Sequence, residues 1–430
     1  MSEQENSLPR AKFSACCTRH YATAAGGKFF SRLALAFFLS VLSVSAQTSE
    51  RRASDELLAC IPQTFAFATS HYQFLLESLK GTTNLPRTFV DGKLKTVAPK
   101  DWTSGFFPGS LWYLYEYSRD AKWLAAATNY TERLESIKDY RGSHDVGFIL
   151  NCSYGNGYRL TQNPAYRELM LQGAQSLATR FSTNVGMIRS WDHKGWNYPV
   201  IVDNLMNLEF LMWAAREGND ARLRAIAVAH ADKTLKNHFR PDFSSYHVVD
   251  FNPTNGVVLA RKTHQGAADG SAWARGQAWG LYGFTMMFRE TANPLYLAQA
   301  TNIANFILNH PRLPADKIPY WDFDAPNIPD APRDASAASV MSSALVELSG
   351  MVTGESSRRY LSLARQQLLS LSSPAYRAKL GENGNFILMH STGNLPAKSE
   401  VDVPLNYADY YYLEALLRYG NHMLTKGKAK

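Results

Sequence analysis

Residues 204–213, Asn204-Leu-Met-Asn-Leu-Glu-Phe-Leu-Met-Trp213, are apolar nearly all round, whereas the stretch opening Asn163-Pro-Ala-Tyr-Arg-Glu-Leu-Met170 is not. In the second, apolar residues fall at Tyr166, Leu169, Met170, Ala174 and Leu177, the spacing of a helix with one wet face. Asn163 suits a helix cap, and Pro164 stands where a first turn tolerates it. A helix that is apolar on every side has to be buried. The two types alternate along the chain. Amphipathic openings recur at Asp120-Ala-Lys-Trp-Leu, Asn219-Asp-Ala-Arg-Leu, Asn293-Pro-Leu-Tyr-Leu and Ser356-Ser-Arg-Arg-Tyr-Leu. Apolar members include Gly109-Ser-Leu-Trp-Tyr-Leu-Tyr, Ala278-Trp-Gly-Leu-Tyr-Gly-Phe and Tyr410-Tyr-Tyr-Leu-Glu-Ala, with others near Val146 and Ser336. Almost no alternating strand signal interrupts them. Helix pairs in fixed order, at repeats of roughly 40–70 residues, build either an open solenoid or a closed ring. About twelve buried and amphipathic helices make six pairs, enough to close. The expected fold is all-α, a single (α/α)6 barrel over residues 47–430, with an open helical array as the alternative.

Composition bounds the function. The chain is 45% hydrophobic and 19% charged, which suits a globular protein with a large core. Its formal charge is +8, but residues 1–46 hold five Lys/Arg against two Asp/Glu, so the remainder carries +5. No Lys/Arg run follows the N-terminus, which argues against a nucleic-acid partner. Lys28 and Arg32 precede the apolar run Leu33-Ala-Leu-Ala-Phe-Phe-Leu-Ser-Val-Leu, and small residues Ser43-Val-Ser-Ala46 follow. That is the pattern of a signal peptide over residues 1–46. The run is short for a membrane anchor, the alternative reading. Export to the periplasm, with no stable membrane insertion after cleavage, is expected. The two remaining cysteines, Cys60 and Cys152, lie too far apart for a zinc motif and read as buried thiols.

Polar residues gather just before the apolar helices: Asp101-Trp-Thr-Ser, Ser143-His-Asp, Val202-Asp-Asn, Thr263-His-Gln, Arg333-Asp and Ser399-Glu-Val-Asp. In a ring of alternating helices all these positions meet at one mouth, forming a ligand cleft. Asp145 and Asp203 stand there, and two carboxylates in one cleft suit carbohydrate hydrolysis, one as acid and one ionised. The apolar residues before Asp203 would help it hold a proton. Both could equally be helix caps. His144, His247 and Gln265 are candidate ligand contacts. Arg275, in an otherwise apolar helix start, needs an anion, either a substrate carboxylate or a structural Asp. Trp102, Trp191, Trp196, Trp273 and Trp279 could stack on sugar rings or belong to the core. Phosphate-loop, zinc-pair and nucleophile-elbow motifs are absent from the sequence.

Five ordered motifs resemble the unsaturated glucuronyl hydrolases of glycoside hydrolase family 88. They are Trp102-Thr-Ser-Gly-Phe-Phe-Pro-Gly, His144-Asp-Val-Gly-Phe, Asp203-Asn-Leu-Met-Asn-Leu, Ser271-Ala-Trp-Ala-Arg-Gly-Gln-Ala-Trp and Asp402-Val-Pro-Leu-Asn-Tyr-Ala-Asp-Tyr-Tyr. The resemblance implies an (α/α)6 barrel that removes the 4,5-unsaturated uronic acid left at the non-reducing end by polysaccharide lyases, glycosaminoglycan lyases included. It implies Asp203 as general acid/base and Asp145 as the second essential carboxylate. His144, Trp102, Trp191, His247, Gln265, Arg275 and Trp279 would contact substrate, with Trp196 a rival for the role of Trp191. No metal or organic cofactor is implied. Related unsaturated rhamnogalacturonyl hydrolases share the barrel and paired acids, although Trp273-Ala-Arg-Gly-Gln-Ala-Trp stands nearer the glucuronyl group. Other readings are an ordinary glycosidase and a non-catalytic envelope glycan-binding protein.

Overall fold

The computed structural model describes residues 55–428 except Lys194. The expected signal peptide lies outside these residues.

Among the described residues six amphipathic helices form the outer layer: α1 (Glu56–Ser78), α3 (Ala121–Glu132), α6 (Pro164–Ala178), α8 (Ala221–Asn237), α10 (Pro294–Asn309) and α12 (Gly354–Ser372). Their starts follow the capping chemistry of the sequence. Asp120, Asn163, Asp220 and Asn293 each accept a backbone N–H two residues on, and Pro164 and Pro294 occupy first-turn positions. On α6, Tyr166, Met170, Ala174 and Leu177 are buried, and Leu169 packs against the core from its edge. One opening differs: α12 begins at Gly354, and its cap position, Thr353, makes no side-chain bond.

Six apolar helices form the inner layer. They are α2 (Phe106–Ser118), the pair α4 (Val146–Leu150) and α5 (Asn156–Thr161), α7 (Leu208–Glu217), α9 (Ala274–Thr291), α11 (Ala335–Met351) and α13 (Asn406–Lys428). A π-turn, Asn151–Gly155, joins α4 to α5 into one inner element. Burial follows composition: every residue from Ala274 to Met287 on α9, and from Ala335 to Val346 on α11, is shut from solvent. Helix α1 packs against α2, α12 and α13, so the last pair meets the first and the ring closes. The fold is an (α/α)6 barrel and the open array is excluded.

The two ends of the ring differ. Inner helices hand over to outer ones through tight turns, several using a left-handed residue such as Arg119, Gln162, Asn219 or Ala292. The return connections are long and, among the described residues, carry nine short strands: β1 (Leu85–Val90), β2 (Lys93–Val97), β3 (Phe181–Ser182), β4 (Met187–Ile188), β5 (Pro199–Ile201), β6 (Val248–Phe251), β7 (Val258–Lys262), β8 (Ser391–Asn394) and β9 (Ser399–Val403). They pair antiparallel as β1–β2, β3–β4, β5–β6–β7 and β8–β9. These small sheets correct the expectation of an almost strand-free chain. At two to six residues each, they are too short for a period of two to stand out in sequence.

At the short-turn end a cavity of about 590 Å³ opens among Arg159, Glu116, Arg289, Glu209, Arg418 and Glu414. Its charges neutralise one another in ion pairs such as Arg159–Glu116 and Arg418–Glu414. Of the two thiols, Cys152 is buried as expected, but Cys60 is only half-buried.

Candidate active site at the long-loop mouth

The centre of the site is built by one short ladder. Strand β5 pairs with β6, Ile201 opposite Val248, and the Val202 N–H donates to the His247 carbonyl at 3.0 Å. This sets Asp203, in the 3-10 turn Val202–Asn207, beside the His247 ring. Ser190 ties in the neighbouring loop. Its N–H donates to the Pro199 carbonyl, its carbonyl accepts the His144 N–H at 3.1 Å, and its hydroxyl accepts the Ile201 N–H. Asp145 and Asp203 are thereby brought to one place from positions 58 residues apart.

Neither carboxylate serves as a helix cap. Asp145 occupies the cap position of α4 without a side-chain capping bond, and Asp203 lies inside its 3-10 turn. Asp203 is 8% exposed, and its Oδ2 has no hydrogen-bond partner among the described residues. Burial pushes its carboxyl up to about 7, the Arg275 guanidinium opposes that rise, and the Asp145 charge reinforces it. The Trp279 indole also favours the charged form, although its N–H makes no well-formed hydrogen bond. Asp145 has the opposite setting. Ser143 Oγ donates to its Oδ2 at 2.5 Å, and His144 Nε2 lies 3.3 Å from its Oδ1.

His247 is buried and neutral. Its Nδ1 accepts the backbone N–H groups of His264 and Gln265 at 3.2 and 3.1 Å, which leaves the proton on Nε2, 3.8 Å from Asp203 Oδ2. The ring lies tilted over Trp273, 4.5 Å between centroids. Burial holds the imidazole well below its usual range. Asp322 pins the loop that supplies the two donors, accepting from Ala267 N–H and Ser271 Oγ.

Several expected contacts take other places. Arg275 is 1% exposed. Its Nη1 bonds Asp334 at 2.9 Å and the Thr392 carbonyl, and its Nη2 bonds the Gly393 carbonyl. The structural anion is the one present, and Arg275 reaches Asp203 through its field rather than by contact. Trp279 is fully buried, edge-on to Phe148 and Tyr411, so it forms the floor instead of a stacking surface. Trp273 is also core, beneath His247 and Arg275. His144 is 2% exposed with both ring nitrogens facing protein groups. Trp102, packed against Tyr407, Phe106 and Phe148, is half-buried at the rim. Trp191 is half-buried too, with Trp196 edge-on at 6.0 Å and His264 at 5.6 Å. The Gln265 amide donates to the Gly393 carbonyl at 3.0 Å.

Sequence reasoning passed over Ser190 and Asn207, both fully buried and both joining the two acidic loops. Asn207 had a signal, since it follows Asp203 by one helical turn. Ser190 had none. Among the described residues no group of three or more His, Cys, Asp or Glu could hold a metal ion.

One carboxyl that keeps a proton near neutrality, beside a second held by a hydroxyl donor and flanked by an imidazole on an (α/α)6 barrel, is the equipment of a glycosidase. Residues 82–424 match the model of Glycosyl Hydrolase Family 88. The chain is 43% identical over 397 residues to an unsaturated glucuronyl hydrolase of Formosa agariphila, covering 91% of this chain and 98% of that one. Against the unsaturated glucuronyl hydrolase of Bacillus sp. strain GL1 it is 35% identical over 327 residues, 74% of this chain and 86% of the other. The crystal structure of an unsaturated glucuronyl hydrolase specific for heparin superposes with a TM-score of 0.82 at 48% identity, covering 86% of this chain and 98% of that one. The chain belongs to glycosyl hydrolase family 88.

Proposed function

We propose that this glycosidase removes the 4,5-unsaturated uronic acid from the non-reducing end of lyase-generated oligosaccharides, glycosaminoglycan fragments among them. The observation that carries the chemistry is the contrast between Asp203, whose carboxyl burial raises to about 7, and Asp145, which accepts from the Ser143 hydroxyl beside the His144 ring. A protonated Asp203 supplies H⁺ to C4 of the enol ether, and the positive charge develops at C5 and the ring oxygen. Asp145, ionised, stabilises that cation. The Asp203 carboxylate then takes a proton from the water that adds at C5. The resulting hemiketal opens to a ketone and leaves a hemiacetal at C1, which expels the rest of the sugar as an alcohol. His247 Nε2–H, 3.8 Å from Asp203 Oδ2, supplies a fixed dipole facing the carboxylate form. Trp102, Trp191 and Gln265 are the rim groups we assign to substrate binding, with Trp196 an alternative partner for the ring that Trp191 would hold. We further propose export of the protein through its N-terminal segment.

Incubation with unsaturated uronyl disaccharides followed by mass analysis tests the reaction. Cleavage to a free monosaccharide and the ring-opened uronate is expected. Binding with the ligand returned unchanged would support the glycan-binding alternative. Activity confined to rhamnogalacturonan fragments would move the substrate to the related group.

A further inference from the structure

Asn207 connects the two acidic loops through a side chain with no freedom to turn. It is fully buried, one turn after Asp203, on the same 3-10 segment. Its Oδ1 accepts the Phe148 backbone N–H at 2.8 Å, and its Nδ2 stands 3.2 Å from His144 Nδ1. A backbone N–H can only donate, so the amide oxygen must face Phe148 and the amide nitrogen must face His144. That nitrogen can only donate, so His144 Nδ1 carries a lone pair and the ring proton sits on Nε2. Nε2–H is then on the side of Asp145, whose Oδ1 lies 3.3 Å from Nε2, and the Asn204 side chain also acts on this ring. Turning the amide over would set N–H against N–H at Phe148. It would also move the His144 proton to Nδ1, leaving a lone pair against the Asp145 carboxylate. The space is closed as well: a Cβ on Gly147 would meet Asn207 Oδ1 at 2.5 Å and its Cα at 2.7 Å. The charged groups acting on His144 are Asp145 itself and Arg180, and its burial favours the neutral ring.

We infer that Asn207 is a positioning residue: by reading the Phe148 N–H it fixes the His144 proton on Nε2, so that an N–H and not a lone pair stands beside the Asp145 carboxylate, within electrostatic reach of Asp203. The inference rests on the reaction proposed above. Its signature is a tautomer, which stability alone does not move.

Long-range ¹H–¹⁵N NMR of the full chain with labelled histidine, His144 being assigned from a His144→Gln spectrum, should show the Nε2–H form in the unaltered protein. In Asn207→Asp, one oxygen still accepts from Phe148 while the other demands a proton on Nδ1, so the His144 signals should shift to the Nδ1–H or imidazolium form. In Asn207→Ala the tautomers should mix. For both variants kcat should fall on the order of 10²-fold, as expected when a histidine bound to a carboxylate takes the wrong tautomer, with KM within about threefold of the unaltered value. An Nδ1–H ring in the unaltered, active protein would overturn the inference without a variant having to fold. So would variants that lose thermal stability while keeping kcat and the tautomer. Failure of the unaltered protein to cleave any unsaturated disaccharide would strike the reaction instead.

Discussion

His247 turns its Nε2–H toward Asp203 Oδ2 across 3.8 Å, and it is neutral because two backbone donors occupy its other nitrogen and burial disfavours the cation. It is therefore a dipole beside Asp203 and not a counterion. Arg275 is the cation that stabilises the carboxylate form, and its charge is already engaged by Asp334. Burial outweighs both, which is why the carboxyl rises to about 7.

A pH dependence follows with a definite sign. An acid that must be protonated loses activity as pH rises through about 7. The Asp145 charge helps to hold that pKa up, so in Asp145→Asn the alkaline limb of the residual activity should move to lower pH. For stability, the folded pKa lies above the unfolded value of 3.8, so folding favours the protonated form. That contribution is complete below 3.8 and is lost as pH rises through the folded value. Relative to the unaltered protein, Asp203→Asn should therefore gain thermal stability from pH 4 to pH 8, and a difference in melting temperature that stays flat over this range would contradict the assignment.

Replacing either carboxylate should leave the barrel standing and remove most of the turnover. Asp203→Asn keeps the shape but cannot give a proton, so a loss on the order of 10²–10⁴-fold in kcat is expected. Asp145→Asn should also be severe, because the amide cannot stabilise a cation. Circular dichroism and kinetics on unsaturated disaccharides check both. A variant of Asp203 with most of its activity intact would take the residue out of the acid/base role.

Arg275 is expected to matter to the fold first. Arg275→Ala takes the paired cation from the fully buried Asp334, frees the Thr392 carbonyl at β8 and leaves the Gly393 carbonyl with its Gln265 donor. Removing one partner of a buried ion pair costs about 3–5 kcal/mol. Arg275→Lys should recover little of it, since one ammonium cannot span the same three acceptors. Denaturant unfolding measures the loss. Full stability with impaired binding of the uronate would show instead that the guanidinium serves the substrate.

The barrel was legible because its cause is written locally: alternating one-sided and all-round apolar helices leave few ways to bury both. Part of the expected set is linked in the structure: Asp145, Asp203, His247, Gln265 and Arg275 form one chain of contacts and fields, whereas Arg333 turns to Asp316. Their roles were less legible. Arg275 and Trp279 stand four residues apart on an inner helix, and sequence alone gave no means of telling a buried inner face from an open one. Trp102 at the rim and Trp273 beneath His247 look alike as letters. Ser190 acts through its backbone as much as its hydroxyl, and backbone pairing across distant loops leaves no mark on residue type.

The export proposal rests on the basic, apolar and small-residue order of residues 28–46. Intact-mass and N-terminal analysis of protein from its native host should find a chain beginning near Gln47. An uncleaved chain in the cytoplasm would refute export.

The position of water attack separates this reaction from ordinary glycoside hydrolysis. An enol ether accepts a proton at carbon, so the cation forms at C5 beside the ring oxygen and water adds there. A conventional glycosidase protonates the leaving oxygen and develops its cation at C1. Both routes could use Asp203 as acid and Asp145 as anion, so loss of activity in the variants cannot distinguish them. Isotopes can. Turnover in deuterated water should put deuterium on C4 of the released uronate, because the proton Asp203 delivers exchanges with solvent. Turnover in heavy-oxygen water, read on a trapped early product, should put the new oxygen on C5. Oxygen label at C1 with no deuterium at C4 would make the enzyme a conventional glycosidase on the same barrel, even with both aspartates essential.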